Sequence, residues 1–215
     1  CATCAAPGRV PRTLRCGTLW QDGGVDRRHE PAPLAPGTLL VAGVELRDGV
    51  FDSTVVLLLD VDATGALGVV LNEFSPLVLD TVLPGWGPYT SWPHHLYDGG
   101  PVSQEGAICL AAPTHPVEEP PGWRPLFDRI GLLHLDTPLE LVEGAYRDLR
   151  IFAGYAGWAP GQLQAEVAQG AWFPVAARPG DVFDPDPLTL WRRVLARQGG
   201  ELGWLATWTP TPELN

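Results

Sequence analysis

The chain contains no lysine: all fourteen of its basic residues are Arg. A P-loop Lys, a Schiff-base Lys and the ATP-site Lys of protein kinases are therefore excluded together. An all-Arg chain is what a GC-rich genome produces. Methionine is absent too, so the sequence as given does not open on an ordinary start residue. A processed, truncated or misassigned start is expected. No apolar run approaches the ~18 residues that span a bilayer; the run at residues 55–59 stops at Asp60. The first 30 residues lack the apolar stretch of a secretory signal, so a cytoplasmic location is expected.

What is present points to a folded, acidic domain. Apolar residues make up 45% of the chain and nine residues are Trp, enough for one sizeable core. The formal net charge is −11. It is unevenly spread: residues 1–36 carry five Arg against three acids, while residues 37–215 carry nine Arg against 22 acids. A domain of that charge is repelled by phosphates, so direct nucleic-acid binding is disfavoured and a neutral or basic partner is favoured. Residues 1–36 have scattered Pro, no helical or strand period, and Cys1, Cys4 and Cys16 without a fourth ligand at a sensible spacing. They read as a disordered or spurious extension, and residues 37–215 as the domain.

Within the domain, residues 38–44, 54–60 and 66–72 read as strands, the last two joined as a hairpin across Ala63-Thr64-Gly65. Residues 77–83 read as one or two helical turns ended by Pro84-Gly85. Short strands are expected at residues 95–97, 107–111 and 130–135, with an exposed loop over residues 113–125. Thr137-Pro138-Leu139-Glu140 has the form of a capping box, predicting a helix to about Arg147. The last helix starts after Asp186-Pro187 and stops at Gly199-Gly200. Hairpins mixed with isolated helices predict an α+β fold.

The most unusual stretch is residues 151–175, IFAGYAGWAPGQLQAEVAQGAWFPV. Residues 151–153 suit a buried strand. Gly154, Gly157 and Gly161 then read as a turn carrying Tyr155 and Trp158. Residues 162–169 read as one short helix ended by Gly170, and Trp172 and Phe173 open another strand. Three further blocks stand in order around it: GTLLVAGVELRDGVFDSTVVLLLDVDATGALGVVLN, ending at Asn72; Asp98-Gly99-Gly100-Pro101-Val102; and LWRRVLARQG at residues 190–199. Together these blocks resemble the YqgE/AlgH family, the uncharacterised UPF0301 group, in an actinobacterial-type member. The resemblance covers roughly residues 37–215. It implies a single α+β domain whose bent, mostly antiparallel sheet approaches a pseudo-barrel, with helices packed outside. It implies no agreed activity. Some members carry a transcriptional-regulator label, which describes a role in cells and not a reaction.

The residues themselves offer little catalysis. There is no G-x-S-x-G elbow. Cys109 lies in an apolar run and reads as a small hydrophobe. His94 and His95 are adjacent and face opposite sides of a strand, leaving His94 with Asp98 as a weak candidate base. No His has a zinc-motif partner, and the acids at 181, 184 and 186 read as turn and cap residues. Asp98-Gly99-Gly100 could form an anion-binding backbone nest, and the turn before the helix at Gln162 could offer amides. The candidate cleft for a ligand or partner therefore comprises Asn72, Gly99, Gly100, Pro101, Gly154, Tyr155, Gly157, Trp158 and Gln162, with Trp158 at its edge. No catalytic residue, metal or cofactor is assigned. The expected function is binding of a small molecule or protein partner with a regulatory effect. The alternatives are an enzyme using the cleft between the two Gly-rich turns and, disfavoured by charge, a direct DNA-binding regulator.

Overall fold

The computed structural model describes residues 31–43, 46, 51–115 and 119–207. Its frame is one curled nine-stranded sheet. Strands β1 (Thr38–Ala42) and β2 (Val55–Asp62) are near-continuous runs of Val and Leu, and β1 is buried along its whole length. That is the pattern of strands covered on both faces rather than one. β3 (Gly65–Val70) returns antiparallel to β2, with a register shift between Leu58 and Asp60 where the apolar run gives way to acids.

A second wing is built on two long strands, β5 (Val102–Pro113) and β8 (Tyr146–Trp158). β6 (Trp123–Phe127) and β7 (Ile130–Leu133) extend it, and β4 (Leu96–Asp98) lies parallel to β8. With β9 (Trp172–Ala176), the order across the sheet is β6-β7-β5-β8-β3-β2-β1-β9, antiparallel apart from β4. The sheet curls far enough that a Cβ on Gly37, just before β1, would lie 2.6 Å from the Phe127 Cβ of β6. Pro174 sits in the terminal strand β9, where a missing donor is tolerated. The Ala32 N–H bonds the Pro174 carbonyl at 3.2 Å, and Leu34 packs on the core, so residues 31–36 lie along that edge.

Helices close both sides. α1 (Leu79–Val82) and α2 (Leu139–Val142) cover Cys109, Ala111, Leu149 and Ile151 on one face of the β5–β8 wing. On the other side, α3 (Gln162–Ala168), α5 (Leu190–Ala196) and α6 (Gly200–Leu205) complete the main core with β1, β2 and β3. One-turn α4 (Pro179–Val182) leads into the segment before α5. This is the expected α+β half-barrel.

Three local expectations are corrected. Gly154 to Trp158 is not a turn, because β8 runs through it in register with β3, Gly68 opposite Ala156 and Ala66 opposite Trp158. The helix expected to reach Arg147 stops at Val142, and Thr137 makes no cap bond: the N-cap is Pro138. Residues from Tyr146 onward are drawn into the long β5–β8 ladder instead. Gly199-Gly200 does not end the helical region either, since α6 begins there.

Candidate functional site

The two Gly-rich segments meet as backbone against backbone. A Cβ on Gly154 would lie 2.5 Å from the Gly100 carbonyl oxygen, and one on Gly100 would strike the Tyr155 main chain. Gly154 and Gly100 both hold positive φ, 68° and 141°, so both positions favour glycine for conformation as well as space. The contact is stitched by the Gly99 N–H to the Ala153 carbonyl at 2.7 Å and the Val70 N–H to the Gly99 carbonyl at 2.9 Å. The Gly100 N–H goes to Asp98 Oδ1 at 3.0 Å. The nest amides are thus committed inside the protein, and backbone fills the space where a cleft between the turns was expected.

Glu166 ties the signature together. Its Oε2 accepts the indole N–H of Trp158 and that of Trp172, each at 2.9 Å, and its Oε1 accepts Gln162 Nε2 at 2.9 Å. Gln162 in turn accepts the Ala159 N–H at 3.0 Å. The two indoles pack edge to face at 5.9 Å. Trp158 is only 7% exposed and belongs to the main core, so the ring expected at a cleft edge is a plug whose polar tip reaches a carboxylate. Nothing in the sequence reading singled out Glu166; the α3 helix supplies the node by placing Gln162 and Glu166 four apart.

Asn72 is buried and internal as well. It accepts the Val55 N–H at 2.8 Å and donates to the Ser53 carbonyl at 3.0 Å, clamping the turn before β2 and the end of the hairpin. Beside it, Glu73 has its carboxyl pushed up by burial, with Asp98 and Asp52 adding to the shift. Of the nine candidate residues, Pro101, Gly157 and Gln162 are exposed and Tyr155 is half-buried. Pro101, Tyr155 and Gly157 border residues 102–107, the exposed start of β5. Between Val102, opposite Tyr155, and Ala107, opposite Ala153, β5 bulges away from β8, and Ser103 there holds φ 49°.

Sequence reasoning missed a buried cation. Arg150 is 1% exposed in the middle of β8. Its guanidinium donates to the carbonyls of Val182 (2.8 Å), Asp184 (2.9 Å) and Trp92 (3.4 Å) and lies 4.3 Å from the Tyr97 ring centroid. Burial pulls its pKa below the ordinary Arg value, and it pushes the Tyr97 hydroxyl up to about 12. The segment that Arg150 grips is held from outside by α5. Arg193 pairs with Asp184, and Arg197 pairs with Asp181 at both carboxylate oxygens. Two of the three Arg of the α5 stripe, Arg193 and Arg197, are thus spent on carboxylate pairs.

Burial raises the Cys109 thiol far above its ordinary value. His94 lies before β4, against Thr90 Oγ1 at 3.3 Å and the Trp92 ring, not against Asp98. Among the described residues, no group of three or more His, Cys, Asp or Glu is placed to hold a metal ion, and no helix is long and apolar enough to cross a membrane.

Residues 39–203 match the family model described as AlgH-like. A UPF0301 protein of Streptomyces avermitilis is 47% identical over 182 residues, covering 83% of this chain and 94% of that protein. One from Thermobifida fusca is 45% identical over 188 residues, covering 83% and 94%. The fold is similar to the crystal structure of DIP2367 from Corynebacterium diphtheriae, with TM-score 0.78 at 31% identity over 84% of this chain and 95% of that one. It is also similar to the solution structure of AlgH from Pseudomonas aeruginosa, with TM-score 0.60 at 27% identity over 84% and 98%.

Proposed function

The chain belongs to the AlgH-like UPF0301 family, and from that premise we propose that it is a binding protein. It takes a small ligand or protein partner and exerts its effect through that partner rather than by catalysis. The contact surface is the strip made by Pro101, the bulged residues 102–107, Tyr155 and Gly157. The observation that carries this reading is the combination of exposure and strain along the strip. Residues 102–107 are exposed beside the half-buried Tyr155, and Ser103 keeps a left-handed conformation that a non-glycine residue pays about 1 kcal/mol or more to hold. Such strain persists where the surroundings over-determine it, and it gathers at binding and switch regions. The polar groups of the signature point the same way. Asn72 is satisfied by backbone, and Gln162 and Glu166 by each other, the two indoles and the Ala159 N–H, which supports architecture for the buried part of the motif and recognition for its exposed rim.

Native mass spectrometry of gently purified protein, wild type against Gly157→Arg, tests the reading. Gly157 is exposed, its φ is not left-handed, and a Cβ there would meet only the Tyr155 ring at 3.4 Å and more distant atoms. The variant should keep its melting temperature and lose the adduct that wild type retains. An adduct of equal occupancy on both proteins would reject the strip. Turnover of a metabolite mixture by wild type would reject binding as the whole function.

A further inference from the structure

We propose that a second face, formed by α1 and α2, docks a cationic amphipathic segment of a partner protein. This face is separate from the strip above. The two one-turn helices use Leu79 and Val142 to cap the smaller core cluster. They abut each other: a Cβ on Gly85, just past α1, would lie 3.1 Å from the Leu139 side chain of α2. They and the two residues before α1 expose four aliphatic side chains. Leu77 is 53% exposed, Val78 68%, Val82 43% and Leu141 48%. Single exposed aliphatics are ordinary on a protein surface, but four on two adjoining helical turns and the residues leading into the first form a patch of the kind that marks an interaction site.

The patch has a pocket and a charge. Beyond the end of α2, a cavity of about 280 Å³ opens between Tyr89, Thr90, Ser91, Val142, Tyr146 and Arg147. It can accept one anchoring side chain. Around the patch, Asp80, Asp136, Glu140 and Glu143 are all exposed, and neither helix carries an Arg. Arg147, which lines the cavity, is paired with Asp148 at 2.7 Å. An apolar patch whose rim carries four carboxylates and a single Arg that is itself ion-paired selects an apolar ridge flanked by Arg or Lys. A second copy of this chain would bring the same acids face to face, and anionic lipid or nucleic acid would be repelled in the same way.

The test is fluorescence anisotropy with a labelled ~14-residue Leu/Lys peptide whose Leu residues fall on one helical face, the helix-in-groove geometry. The controls are a scrambled peptide of the same composition with no apolar face and a Leu/Glu peptide of the same pattern. Two double variants, Val82→Glu/Leu141→Glu and Glu140→Lys/Glu143→Lys, alter only exposed side chains, and unchanged melting curves verify that they fold. The patterned Leu/Lys peptide should bind wild type at micromolar concentration, and each double variant should weaken it about tenfold or more. Hydrogen exchange should slow at residues 77–83 and 139–146 in the complex. The proposal is overturned by no binding, by equal binding of either control, by binding that survives both double variants, or by protection confined to residues 101–107. The last result would leave the strip reading standing, and loss of the Gly157→Arg effect would leave this one standing.

Discussion

Removing the Glu166 carboxylate should loosen the signature by an amount set by the two indoles it serves. In Glu166→Leu the N–H groups of Trp158 and Trp172 both lose their acceptor. A buried donor left without a partner costs about 1–3 kcal/mol. Trp172 is 1% exposed and bears the full penalty, whereas Trp158 at 7% is close enough to the surface for water to relieve part of it. Gln162 is exposed and its amide turns to solvent at little cost. The expected loss is about 2–4 kcal/mol, roughly 5–15 °C in melting temperature for a chain of this size. Glu166→Gln keeps one carbonyl oxygen able to receive both indoles, and Gln162 can rotate its amide to face the new NH₂, so that variant should lose about 1 kcal/mol or less. Urea unfolding followed by far-UV circular dichroism, read as a change of midpoint at constant slope, measures both. Glu166→Leu within about 0.5 kcal/mol of wild type, the range of ordinary surface substitutions, would refute the claim that this carboxylate holds β8, α3 and β9 together.

Trp158→Ala should cost about 3–5 kcal/mol, as truncation of a core aromatic does; a loss near ~1 kcal/mol by the same unfolding assay would return the ring to a cleft edge. A chain beginning at Pro31 should melt within a few degrees of the full chain by calorimetry, whereas one beginning at Pro36 also loses the Leu34 contact and the Ala32–Pro174 bond and should melt lower. In the Pro31 chain Cys109 is the sole cysteine, and because burial raises its thiol, a disulfide reagent at pH 8 should label it only after urea is added; fast labelling of the native protein would contradict its placement in the core. At ~150 mM salt the protein should not shift random or promoter duplex at micromolar concentration in a gel assay, since Arg193 and Arg197 are already paired and few phosphates can be neutralised; tight binding with a steep salt slope would restore a direct DNA role.

The parts of this molecule that the sequence displays are those whose signal is local. Val and Leu runs announce β1, β2 and β3, and Gly161, Gly170 and the apolar spacing between them announce α3 within a residue of its observed ends. The glycines of β8 mislead because the same residue that punctuates turns also permits close approach. Gly154 lies inside a strand, and the chain that makes it necessary, at Gly100, is more than fifty positions away in sequence. Arg150 is hidden for the same reason. Between Leu149 and Ile151 it alternates to the opposite face, and alternation normally sends a charged residue to water. Here that face is covered by residues 182–184, whose carbonyls replace the lost water, and that segment stays in place because Asp181 and Asp184 are gripped by Arg197 and Arg193. Removing a buried cation's partners is expensive, and leaving its acceptors empty is equally so. Arg150 and the C-terminal helices are therefore coupled. Arg150→Ala should lower stability and, by hydrogen exchange, speed opening of residues 178–197, while a variant that merely loses a surface charge, Arg192→Ala, should leave both unchanged. Equal exchange in the two variants would show that the strap is held by apolar packing of Leu190, Trp191 and Val194 alone.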